Sequence, residues 1–127
     1  MSHSEILLVD DDQSVLTVVS RILRKSGHRV TTALSLAKAL AILQQQTFNV
    51  VIYDLSVGAG QTLDNVLAQL RAAQPKLPVL LITGYAGPET EGDVERLGIE
   101  LLEKPFEGDE LVARVSELVR RSKHSAA

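Results

Sequence analysis

Ile6-Leu7-Leu8-Val9 runs directly into Asp10-Asp11-Asp12. An apolar run of this length suits a strand buried on both faces, and the carboxylates after it suit a polar sheet edge. The pattern recurs along the chain: Val50-Val51-Ile52-Tyr53 meets Asp54, Val79-Leu80-Leu81-Ile82 meets Thr83, and Leu101-Leu102-Glu103 meets Lys104-Pro105. Ligands of open parallel sheets bind outside the carboxyl ends of the strands. One edge thus gathers carboxylates, a hydroxyl and an ammonium, a set suited to a divalent cation beside a phosphoryl group.

Between these runs lie segments with helical spacing. Strands are predicted over residues 5–10, 28–33, 49–54, 78–83 and 100–103. Helices are predicted over residues 13–25, 35–46, 89–97 and 108–122, with another carrying Leu63, Val66, Leu67 and Leu70. The first helix presents Val15, Val18, Val19, Ile22 and Leu23 on one face, and Gly27 reads as its stop. Ser35 is the expected N-cap of the second. The fourth has Thr90 and Gly92 inside it and little apolar surface to bury. The last buries Leu111, Val115, Leu118 and Val119. Alternating strands and helices imply right-handed crossovers and a parallel sheet covered on both faces, a three-layer α/β sandwich.

The 127 residues suffice for one domain with a real core. A net charge of −3 gives no general attraction to nucleic acid or to anionic membrane. With no cysteine, disulfides, thiolate catalysis and zinc–thiolate sites are excluded, and a reducing, cytoplasmic setting is expected. The short apolar stretch at the start is no signal peptide, and no run approaches the ~18 residues of a membrane span. Arg120-Arg121-Ser122-Lys123-His124 reads as cations at a helix C-terminus rather than a nucleic-acid surface.

Asp12 stands just before the first helix and suits its N-terminal cap. Asp10 and Asp11 stand at the strand tip, and Asp54 at an adjacent one. Three carboxylates converging there repel one another unless a cation lies between them, and magnesium suits such a site. Thr83 alone reads as a β-branched residue finishing a strand, and Lys104 alone as a solvated charge. Facing the carboxylates together, they supply donors for phosphoryl oxygens.

The pattern resembles the receiver domain of two-component response regulators over nearly the whole chain. Asp10-Asp11-Asp12 matches the first-strand acidic motif, Asp54 the phosphoacceptor, Thr83-Gly84 the switch threonine and its small neighbour, and Lys104-Pro105-Phe106 the Lys-Pro-Phe motif. The resemblance implies a single receiver over residues 1–127, flavodoxin-like, with a five-stranded sheet of order 2-1-3-4-5. It implies Mg2+ held by Asp10, Asp11, Asp54 and the Ser56 carbonyl, with Asp54, Thr83 and Lys104 as the catalytic set. It implies a cis Lys104–Pro105 bond. The implied phosphodonor is a sensor histidine kinase or a histidine phosphotransfer protein. The implied readout is a downstream protein on the face of the fourth helix and fifth strand, without nucleic acid or membrane.

Three positions depart from the family pattern. Gly58 and Thr62 stand where receivers usually carry proline and glycine, and Leu101 stands where a switch tyrosine or phenylalanine is usual. Tyr85 is then the nearest aromatic able to affect water access. Movement of the loop at residues 84–88 and of the fourth helix is expected in place of a rotating ring. A receiver that binds partners without being phosphorylated is the alternative that the altered loop favours. A haloacid-dehalogenase-like phosphatase using Asp10 would leave Asp54 without a role, and the carboxylates would repel a flavin or nucleotide phosphate. No output module is expected after the last helix.

Overall fold

The computed structural model describes residues 4–58 and 60–125, with side chains to residue 122. Ala59 of the loop after Asp54, and the side chains of Lys123 and His124, lie outside the described residues. In chain order the elements are β1 (Ser4–Val9), α1 (Gln13–Lys25), β2 (His28–Ala33), α2 (Leu36–Leu43) and β3 (Val50–Asp54). They continue with α3 (Leu63–Ala73), β4 (Val79–Thr83), α4 (Pro88–Leu97), β5 (Glu100–Glu103) and α5 (Gly108–Ser125). All strands pair in parallel, in the order β2-β1-β3-β4-β5. This is the expected flavodoxin-like sandwich.

Strand alternation divides the core between the two faces of the sheet. Ile6, Leu8, Val50, Ile52, Leu80 and Ile82 pack against Leu16, Val19 and Leu23 of α1 and Leu111, Val115 and Leu118 of α5. Leu7, Val9, Val51, Tyr53 and Leu81 pack on the other face, against α2 and α3. β3 and β4 are buried at every position, as apolar runs covered on both sides must be. Each such leucine or isoleucine contributes about 1.5–3 kcal/mol by leaving water.

Several boundaries move. β1 ends at Val9 rather than Asp10, although the Asp10 N–H still reaches the Ala33 carbonyl at 3.1 Å. β3 and β4 each begin one residue later than predicted. α2 stops at Leu43: Gln44 to Gln46 offer no apolar side chain to bury, and their N–H groups return to the Leu40, Ala41 and Ile42 carbonyls to close the last turn. α5 continues to Ser125.

The buried stripe of α1 is also shifted. It is Leu16, Val19, Ser20 and Leu23, while Val18 is 53% exposed. The spacing i, i+3, i+4, i+7 is kept, but through Leu16. Ser20 is tolerated in the stripe because its hydroxyl donates to the Leu16 carbonyl. Ser26 caps the helix, and Gly27 follows at φ +93°, the left-handed turn expected of a stop. α4 has no buried residue, and only Val94 and Leu97 touch the core. It is held at the surface by Arg96, whose guanidinium donates to both oxygens of Asp64 on α3 at 3.1 and 2.7 Å. Arg120 and Arg121 pair with Glu117, and Arg121 also with Glu100, so these cations serve the helix end.

Candidate functional site

The sheet register brings the strand tips level. Val9 lies opposite Tyr53, Asp54 opposite Ile82, and Thr83 opposite Glu103. Asp10, Asp54, Thr83 and Lys104 therefore emerge along one edge, with the first three buried. Asp54 is the centre. One carboxylate oxygen accepts from the Lys104 ammonium at 2.6 Å, the other from the Ser56 N–H at 2.9 Å and the Ser56 hydroxyl at 2.7 Å. The Ser56 hydroxyl also lies 3.3 Å from the Asp11 carboxylate.

Burial raises the Asp54 carboxyl, but Lys104 and Ser56 more than offset it and hold the group below the usual carboxylate range. Its partner ammonium is pushed up by the same hydrogen bond. Asp10 behaves in the opposite way. Burial, reinforced by the neighbouring Asp54 charge, lifts it to about 6 despite the hydrogen bond from the Asp12 N–H at 2.9 Å. Asp12 caps α1 as expected, accepting from the Ser14 N–H at 2.9 Å and the Ser14 hydroxyl at 2.6 Å. Those two donors hold its carboxyl low.

Not every expected contact is made. Asp10 and Asp54 meet, but Asp11 is exposed and reaches Asp54 only through Ser56. Among the described residues, no three acidic or histidine side chains close into a metal-holding group. The donor set nonetheless fits a hard divalent ion: the oxygens are carboxylate, and the lifted Asp10 marks a surplus of negative charge that a cation relieves. The Thr83 hydroxyl is not turned to Asp54. It donates to the Tyr85 carbonyl at 3.0 Å and accepts from the Tyr85 N–H at 3.2 Å. The Lys104 N–H joins that tip to β5 through the Thr83 carbonyl at 2.8 Å. The Lys104–Pro105 bond is cis, as the resemblance implied.

Sequence reasoning overlooked the Ser56 hydroxyl, Tyr53 and Glu103. Ser56 was expected to act through its carbonyl alone, yet a serine two residues after an aspartate is a familiar local donor and could have been noticed. Tyr53 read simply as part of a buried run. Glu103 accepts from the Ala86 N–H at 3.2 Å, a contact across 17 residues without a sequence signal.

Comparison with known proteins agrees with this geometry. Residues 6–116 match the family described as response regulator receiver domain. The alginate biosynthesis transcriptional regulatory protein AlgB of Pseudomonas aeruginosa is 37% identical over 110 residues, covering 86% of this chain and 24% of that protein. The transcriptional regulatory protein ZraR of Escherichia coli is 33% identical over 122 residues, covering 92% of this chain and 27% of that protein. The chain thus spans about a quarter of the length of these relatives. Among solved structures, the chemotaxis response regulator CheY4 of Vibrio cholerae superposes with a TM-score of 0.81 at 28% identity, covering 92% of this chain and 99% of that one. No helix among the described residues is long and apolar enough to cross a membrane. The chain belongs to the response regulator receiver domain family, whose members take a phosphoryl group in two-component phosphorelays and catalyse only its transfer and loss.

Proposed function

We propose that residues 1–127 form one receiver unit and that Asp54 is its phosphoacceptor. The observation that carries this is the buried, ionised Asp54 carboxylate, braced by Lys104 on one oxygen and Ser56 on the other. An Asp54 oxygen attacks phosphorus in line; its bond to phosphorus forms as the phosphohistidine P–N bond breaks, and the freed imidazole takes a proton. The Lys104 ammonium, already at 2.6 Å, then passes from the carboxylate to a phosphoryl oxygen. Asp10, Asp11, Asp54 and the Ser56 carbonyl would hold Mg2+, which when bound neutralises charge on the phosphoryl oxygens.

Phosphoryl oxygens also offer Thr83 a stronger acceptor than the Tyr85 carbonyl. Turning the hydroxyl inward releases the Tyr85 backbone, and with it the loop into α4. Since α4 has no fully buried residue and only Val94 and Leu97 touch the core, the displacement meets little resistance. A downstream partner then reads the face of α4 and β5, where Leu101 is partly buried and Tyr85 is 75% exposed. The cytoplasm is the setting that suits this chemistry.

The phosphodonor is a histidine kinase or a histidine phosphotransfer protein. It docks beside Lys104, in a shallow apolar groove of about 480 Å3 lined by Val15, Val18, Ile22, Pro105 and Phe106. This gives the unburied Val18 a purpose. Transfer from a phosphohistidine-bearing protein tests the reading: Val18→Asp should slow it more than labelling by acetyl phosphate. Equal slowing of both, or no transfer from any such protein, would count against it.

A further inference from the structure

Tyr53 is a core residue with a polar atom that does something specific. It is 1% exposed, immediately precedes Asp54, and packs in the same cluster as Val57, Val66 and Leu67. Its hydroxyl donates to the Val57 carbonyl at 3.0 Å. The turn between them is tight: the Val57 N–H returns to the Asp54 carbonyl at 3.0 Å, and Ser56 sits inside it with its N–H and hydroxyl on the Asp54 carboxylate. The first turn of the loop is thus fixed at its start by β3 and, three residues on, by a hydroxyl reaching up from the core.

Gly58 makes that reach possible. It lies at φ +77°, and a Cβ there would stand 3.0 Å from the Tyr53 hydroxyl oxygen. Proline, locked near φ −65°, is excluded, and any other side chain meets both the strain and the hydroxyl. Tyr53 and Gly58 are a matched pair.

We propose that Tyr53 is a positioning residue for the phosphorylation site, and that it holds Ser56 where its carbonyl can serve Mg2+ and its hydroxyl can donate to Asp54. This rests on the reading of Asp54 above, but its first readout does not. The test is Mg2+ affinity, from NMR titration of amide shifts at residues 54–58, for the wild type, Tyr53→Phe, Gly58→Ala and the double variant. Tyr53→Phe keeps the ring and the core, so the chain remains folded. Its Mg2+ affinity should fall about three- to tenfold, the scale of one buried hydrogen bond. Gly58→Ala should also weaken binding, and less so when Tyr53→Phe has already removed the hydroxyl it crowds. In acetyl phosphate labelling, the loss should be in the Mg2+ needed for half-maximal rate more than in the rate at saturation. Unchanged Mg2+ affinity in Tyr53→Phe, even with a lower melting temperature, would reduce Tyr53 to a core residue. A wild type that binds Mg2+ without being labelled would overturn the phosphoacceptor reading, while the Mg2+ affinities would still decide the role of Tyr53.

Discussion

Asp10→Asn should stabilise the metal-free chain, and the structure gives the scale. Asp10 is held near 6 by burial and by the Asp54 charge, against an ordinary value of 3.8. A carboxyl raised on folding binds its proton more tightly in the folded chain. Its cost to folding is therefore absent below 3.8, grows through the window up to about 6, and is complete above it. At about 1.4 kcal/mol per tenfold difference in proton affinity, that cost approaches roughly 3 kcal/mol at neutral pH. Asparagine removes the charge and keeps an oxygen for the Asp12 N–H. Urea unfolding in EDTA at about pH 7.5 should show a gain of 1 to 3 kcal/mol that shrinks toward zero near pH 4. Saturating Mg2+ should narrow the difference by stabilising the wild type more. A neutral or destabilising effect at pH 7.5, or a gain independent of pH, would refute the claim that Asp10 is a buried carboxylate under electrostatic strain.

Lys104→Ala should let the Asp54 carboxyl rise from its lowered value, measurable by carbon NMR titration, and should slow labelling by acetyl phosphate; an unmoved Asp54 would mean the 2.6 Å contact does not govern it. Thr83→Ala should abolish the amide shifts that beryllofluoride and Mg2+ induce over residues 84–97 in the wild type, where Leu101 should move little. Arg96→Ala breaks an exposed pair that adds little to global stability, yet should speed amide exchange throughout α4, because so little else holds that helix.

The fold was legible because its signals are local and repeated. Runs such as Val50-Val51-Ile52-Tyr53 are apolar on both faces, as only a covered parallel strand allows, and every tip residue named from them lies on the edge predicted. Strand order was available only through the family resemblance, since nothing in an apolar run names its neighbour. The face of α1 was misplaced at its edge: Val19 and Leu23 are buried as predicted, but packing against α5 takes Leu16 and leaves Val18 outside. In the candidate site, residue types and their convergence were readable. The orientation of the Thr83 hydroxyl, the double contact of Ser56 and the reach of Tyr53 to Val57 were not, because each depends on the course the backbone takes in the loops after β3 and β4.

The central claim is that Asp54, and no other carboxylate, receives the phosphoryl group. Intact mass after incubation with acetyl phosphate tests it, run with Mg2+ or EDTA on the wild type, Asp54→Asn and Asp10→Asn. A single phosphoryl adduct should form on the wild type only with Mg2+, be absent from Asp54→Asn, and be reduced in Asp10→Asn. Labelling that persists in Asp54→Asn and vanishes in Asp10→Asn would contradict the account and move the nucleophile to the first strand.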